Sequence, residues 1–215
     1  MLHIIHIDEE IRNTLLQQAK LRKLVAIAYK TSQAFLDELY RNSAFDLEGN
    51  CVLLNAQMDD RVEENLFDIL VVRKLTQRLP VIFLASPGHS VLAVDVLRRG
   101  AFDFFDQHYD DVTLFGRIVE ALCTSKKYSL REKTQSLLAT LSPREREVLK
   151  LMFTGHASSA IAAILGISER TITAHREHIF RKMNAKSALT LAIAVSSCTD
   201  IFEYFGPSEN YLTST

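Results

Sequence analysis

The feature that most constrains this chain is an alternation in its first 125 residues. Short apolar runs, Leu2–Ile7, Leu24–Tyr29, Cys51–Leu54, Val81–Leu84 and Ala101–Phe105, are separated by segments of helical length. Runs this short and this continuously apolar fit strands buried on both faces, and therefore parallel strands. The segments between and after them, about Glu9–Leu21, Thr31–Arg41, Arg61–Gln77, Ser90–Arg99 and Asp111–Thr124, supply the helices. Five strand–helix repeats predict a doubly wound (βα)5 domain over residues 1–124, with function at the C-terminal strand ends.

From residue 141 the pattern becomes one of punctuated helices. Ser142 is a predicted N-cap, Pro143 suits the first helical position, and Glu145 stands where a capping-box carboxylate reaches back. Val148, Leu149 and Met152 follow at helical spacing, and Gly155 supplies a stop. A short helix over about Ser158–Leu165 turns Ile161, Ala162 and Leu165 inward, and Gly166 falls where a tight turn needs a positive φ. Ser168 caps the next helix, so the intervening turn is about three residues long, as in a helix-turn-helix.

At 100° per residue that third helix places Ile172, Ile179 and Met183 on one face and Arg170, Thr173, Ala174, Glu177 and Arg181 on the other. In a docked helix-turn-helix the N-terminal part of this helix meets base edges in double-stranded DNA. Thr173, Ala174 and Glu177 are the candidate base readers, with Arg170 and Thr171 beside them at the helix start, and Arg181 and Lys182 the candidate phosphate contacts. A carboxylate at position 177 is repelled by phosphates unless it accepts from cytosine N4. A solvated bundle face is the alternative for the stripe alone; short turn, caps and stripe together favour DNA.

Charge supports that division. Residues 1–125 hold 13 Lys+Arg and 18 Asp+Glu, whereas residues 126–199 hold 12 and 5, so the basic block coincides with the helix-turn-helix. Residues 125–140, with Lys126, Lys127, Arg131, Glu132 and Lys133, read as a charged linker helix or a continuation of the fifth helix. Cys51, Cys123 and Cys198 are widely spaced, which indicates neither a disulfide framework nor a zinc site and predicts three buried thiols. With no charged-then-apolar leader and no transmembrane-length apolar run, the expectation is a cytoplasmic protein without membrane contact.

The stretches Leu141–Leu149, Ile161-Ala162, Leu165–Ile172, His175, Ile179 and Lys182-Met183 resemble the LuxR-type helix-turn-helix family over about 55 residues. Leu79–Ala85 and Arg99–Phe105, with the order and spacing of the repeats, resemble a response-regulator receiver domain. Together they resemble the FixJ/NarL architecture of two-component systems, which implies an α/β receiver followed by a four-helix all-α DNA-binding domain over residues 141–199.

Against the receiver pattern, aligned through Arg12, the metal-binding acidic pair falls on His6 and Ile7, with Asp8 adjacent. The phospho-acceptor position falls on Asn55, the hydroxyl position on Ala85 (Ser86 is adjacent), the lysine on Gln107 and the following proline on His108. An amide cannot form an acyl phosphate, so the resemblance implies a pseudo-receiver with no cofactor, no metal and no catalytic residue. His6, Asp8, Asn55 and His108 could line a ligand pocket, or simply fill a vestigial one. Phe104 stands at the family's switch aromatic, or is filler. In the DNA-binding half, Thr173 replaces a frequent lysine and Ser158-Ser159 a frequent Asn-Lys pair, so weaker or more dimer-dependent binding is expected.

In LuxR-type domains the fourth helix commonly makes the dimer contact, which implicates Ala188, Leu191, Ala192 and Val195, although core packing explains half of that stripe equally well. Ile201, Phe202, Tyr204 and Phe205 form an aromatic tail over residues 200–215, expected to pack back or extend a dimer seam. The leading reading is therefore a homodimeric transcriptional regulator, acting with RNA polymerase and controlled at its receiver-like domain by a protein, a small molecule or abundance. The alternative is an interaction module that sequesters a partner regulator or kinase. An enzyme is a distant third.

Overall fold

The chain's structure, a computed structural model, describes residues 1–41, 47–56, 66–85, 90–106 and 108–198. Five strands among them, β1 (Leu2–Ile5), β2 (Ala26–Tyr29), β3 (Cys51–Asn55), β4 (Val81–Ala85) and β5 (Asp103–Asp106), form one parallel sheet in the order β2-β1-β3-β4-β5. The helices are α1 (Glu9–Leu21), α2 (Ser32–Arg41), α3 (Leu66–Val72), α4 (Ser90–Arg98) and α5 (Asp111–Ala139), and then α6 (Pro143–Phe153), α7 (Ser158–Leu165), α8 (Glu169–Lys182) and α9 (Ala188–Ser196). The expected α/β plus all-α class is what the chain has.

A period of two runs beneath each apolar strand. Leu2, Ile4, Cys51, Leu53, Ile82 and Leu84 pack with Leu15 and Ala19 of α1 and Leu114, Phe115 and Ile118 of α5. Ile5, Val52, Leu54, Val81 and Phe83 pack on the opposite face with Phe35 of α2, Phe67 and Leu70 of α3 and Val96 of α4. Both faces are thus covered, which is why the strands carry no exposed polar alternation. His3, wholly buried on the second face, has its ring nitrogens 3.3 Å from the Tyr29 hydroxyl and 3.0 Å from Asn50 Oδ1.

The chain divides into two units, Met1–Ser129 and Leu130–Thr215, with the boundary inside α5. The segment read as a linker helix is therefore the continuation of the fifth helix, the second of the two readings. Ser125, expected to open the linker, is fully buried in the first unit. Its hydroxyl is shared between Leu47 O at 2.9 Å and Arg78 O at 2.6 Å, and it accepts from the Asn50 N–H at 3.2 Å. Helix α3 ends earlier than the expected Gln77, and the expected start at Arg61 lies outside the described residues. The helix stops at Val72, and Lys74 has a positive φ of 56°, which ends a helix.

In the second unit, Leu138 and Leu141 join Val148, Leu149, Ile161, Ile172, Ile179, Met183, Leu191 and Val195 in a single core. The aromatic tail lies outside the described residues. No helix among those described is long and apolar enough to cross a membrane.

One thiol departs from expectation: Cys123 is exposed, while Cys51 and Cys198 are buried. It lies on α5, where sequence alone did not show that this part of the helix faces outward. Burial pushes the Cys51 thiol up to about 12. A maleimide reagent at pH 7 should label one described thiol rapidly, and Cys123→Ser should abolish that fast phase. Rapid labelling that survives the substitution would contradict this placement.

Candidate functional site

The helix-turn-helix is assembled by caps. Ser142 Oγ accepts from the Glu145 N–H at 3.2 Å, and Glu145 Oε2 accepts from the Ser142 N–H at 2.7 Å, completing the expected capping box. Gly166 ends α7 in the left-handed region at φ 65°, which an L side chain adopts only with strain, and Gly155 at φ 84° does the same work after α6. Ser168 Oγ then accepts from the Thr171 N–H at 3.1 Å and starts α8. Arg144, whose guanidinium reaches the Leu165 carbonyl at 2.5 Å and Glu147 at 2.7 Å, fastens α6 to the last turn of α7.

Glu145 does more than cap. It is 4% exposed, and Lys182 Nζ lies 2.6 Å from its Oε2 and 3.2 Å from the Thr140 carbonyl. His178 Nδ1 stands 3.7 Å from Oε1. Burial alone would raise the carboxyl pKa, but the Lys182 ammonium and the Ser142 donors outweigh it and hold the group below the usual glutamate value. The C-terminal end of α8 is thereby bolted to the N-terminal end of α6. Lys182, a candidate phosphate contact, thus has its ammonium engaged by Glu145 and the Thr140 carbonyl.

The rest of the predicted face of α8 is outward. Arg170, Thr171, Thr173, Ala174, Glu177 and Arg181 are exposed, while Ile172 and Ile179 are completely buried. The Thr171 hydroxyl lies 2.8 Å from Ser168 Oγ, within the cap, and the Thr173 hydroxyl donates to the Glu169 carbonyl at 3.0 Å. The side chains of Arg170, Glu177 and Arg181 have no hydrogen-bond or ion-pair partner among the described residues. Arg176, not singled out from sequence, is half-buried with Nη1 3.4 Å from Ser158 Oγ at the start of α7.

Helix α9 corrects the dimer stripe. Leu191 and Val195 are each 1% exposed and belong to the core of their own unit, so they are closed to a second chain. Ala188 is exposed and Ala192 half-buried. The large outward apolar side chains are Leu189 and Ile193, which the sequence reading missed. The sequence Ala188–Ser196 is apolar on nearly every side, so periodicity does not say which side faces in.

In the first unit, His6, Asn55 and Ala85 sit at or just beyond the C-terminal ends of β1, β3 and β4, and all three are buried. His6 and Asn55 flank the β1/β3 boundary, where the strand order reverses and ligands of such sheets gather. His6 Nδ1 accepts from the Asp8 N–H at 3.0 Å, and burial lowers the pKa of the ring. Asp8 Oδ1 is committed to the N-cap of α1, accepting from Glu10 N–H at 2.8 Å and Ile11 N–H at 3.2 Å. Ile7 is 59% exposed and contributes its carbonyl to Arg12, as His6 does. Gln107 lies outside the described residues, and His108 is exposed.

Residues 139–195 match the GerE family, described as bacterial regulatory proteins, luxR family. The chain is 34% identical over 161 residues to the transcriptional regulatory protein TdiR of Thauera aromatica, covering 70% of this chain and 69% of that protein. It is 32% identical over 194 residues to the C4-dicarboxylate transport transcriptional regulatory protein DctR of Rhodobacter capsulatus, covering 88% and 96%. Full-length FixJ from B. japonicum has a solved structure similar to this one, with a TM-score of 0.50 and 26% identity over 91% of this chain and 95% of that chain.

Proposed function

This chain belongs to the FixJ/NarL-type response regulators with a LuxR-type helix-turn-helix domain, and on that premise we propose that it regulates transcription by binding DNA as a homodimer without accepting a phosphoryl group. Its relatives are transcriptional regulators carrying this DNA-binding domain. The observation that carries the DNA-binding half is the outward face of α8, where the guanidinium groups of Arg170 and Arg181 have no partner among the described residues. They are available for phosphate, and the short side chains of Thr173 and Ala174 between them leave room for base edges.

Two considerations favour phosphorylation-independence. An acyl phosphate needs a carboxylate at the end of β3, where Asn55 stands, and a divalent metal there draws on free carboxylates at the end of β1. There the candidates are His6, whose Nδ1 accepts from the Asp8 N–H, Ile7, whose carbonyl accepts from Arg12, and an Asp8 with one oxygen already used as a cap. Control then falls to a protein or small molecule at the receiver-like unit, or to abundance, with RNA polymerase as the machinery acted upon in the cytoplasm. Ala188, Leu189, Ala192 and Ile193 form the surface of α9 offered to a second copy.

Selection from a random duplex library by the full-length protein tests both halves. The expected product is a paired site with half-sites spaced by about one helical turn, roughly 10 base pairs, unchanged by acetyl phosphate. A stable aspartyl phosphate accompanied by tighter DNA binding would overturn the second half, and absence of salt-sensitive, sequence-selective binding would overturn the first.

A further inference from the structure

The outward face of α8 contains an unusual set of readers. Thr173 has given its only hydroxyl proton to the Glu169 carbonyl, so toward the groove it offers a methyl group and an acceptor oxygen. Ala174 offers a methyl group alone, and Glu177 a carboxylate, which only accepts. None of the three donates a hydrogen bond. The common readers of purines, a cation forked on guanine O6 and N7 or an amide on adenine N6 and N7, are missing from these positions.

What complements such a set is the pyrimidine edge. Cytosine presents its N4 amino group as a donor, flanked by the C5 hydrogen, whereas adenine sets its N6 donor beside the N7 lone pair, which repels a carboxylate. Thymine presents its C5 methyl group, which small apolar groups fit. The charge arrangement agrees. Glu177 and Arg181 are four residues apart, a spacing that suits an ion pair on a helix, yet each side chain has no partner among the described residues. The carboxylate is therefore free to meet a base while Arg181, one turn further, meets phosphate.

Resting on the DNA-binding reading above, we infer that α8 reads the pyrimidine-bearing strand of its half-site, with cytosine at Glu177 and thymine methyl groups at Thr173 and Ala174. Phosphate repulsion makes this carboxylate a selective element: it lowers affinity for every duplex and recovers it only where a cytosine amino group is in reach.

The test is selection from a random duplex library by full-length wild type, Glu177→Gln and Glu177→Ala. Glu177 is exposed and has no partner among the described residues, so neither substitution disturbs the fold they form. The wild-type site should carry a fixed cytosine in each half-site. Glu177→Gln should move the preference there from cytosine toward adenine, by on the order of 5- to 150-fold. Glu177→Ala should erase it, leave the other positions alone and bind non-cognate duplexes more tightly. Replacing the neighbouring thymines by deoxyuridine should weaken wild-type binding several-fold. Unchanged base preferences in both variants would overturn the cytosine assignment, and unchanged affinity for the deoxyuridine duplex would overturn the methyl assignment. A wild type that enriches no site would overturn the DNA-binding reading instead.

Discussion

Glu145→Ala should destabilise the C-terminal unit by about 2–4 kcal/mol and weaken DNA binding with it. The side chain occupies a buried position between the Ser142 cap and the Lys182 ammonium, so its loss removes a capping acceptor and an ion-pair partner together. Breaking a fully buried pair costs about 3–5 kcal/mol; here Lys182 keeps 34% of its side chain exposed, and water recovers part of that. Glu145→Gln keeps the cap and loses the charge, so it should fall between alanine and wild type.

The same contact has a pH signature. A carboxyl held below its ordinary value of 4.5 contributes stability that is fully present above 4.5 and lost as pH falls through the depressed folded value. Urea unfolding followed by circular dichroism should show a wild-type advantage over Glu145→Gln at pH 7 that shrinks in the acid range. An advantage that stays constant below pH 4.5 would refute this role for the ion pair.

Ile172→Ala should be of similar or larger effect, about 2–5 kcal/mol, and Ile172→Val about 0.5–1.5 kcal/mol. Ile172 is wholly buried among Val148, Leu149, Ile161 and Ile179, so truncation opens a cavity that three helices must close around. Its neighbour Thr173 faces out, and Thr173→Ala should change stability by no more than about 0.5 kcal/mol. Denaturation midpoints of the three variants measure this contrast between adjacent positions. Comparable losses at 172 and 173 would mean that α8 is rotated from the orientation described.

How much of this was legible depended on whether a residue's role is local. Ser142, Gly166 and Ser168 act within a few residues of themselves, as does Glu145 in its capping role, and these caps and the turn are where local chemistry places them. The inward and outward faces of α8 were also legible, because its polar and apolar residues segregate at helical spacing. On α9 they do not segregate, and Leu191 and Val195 could not be told from Leu189 and Ile193. The internal partners of Lys182 were hidden for a different reason: Thr140 and Glu145 are 42 and 37 residues away, a separation no local pattern encodes. At the strand ends, Asn55 and Ala85 were legible as residues, whereas the use of Asp8 as a helix cap appears only in the hydrogen bonds.

Ser125 sets a mechanical condition on the first unit. One hydroxyl on α5 holds the chain at residues 47, 50 and 78 beside the lower edge of the sheet. Sliding α5 along its own axis by a single turn, about 5.4 Å, would break all three hydrogen bonds at once. The helix is pinned against that ratchet-like movement. A signal received at the opposite, C-terminal ends of the strands cannot slide α5 by a turn without breaking that triple junction.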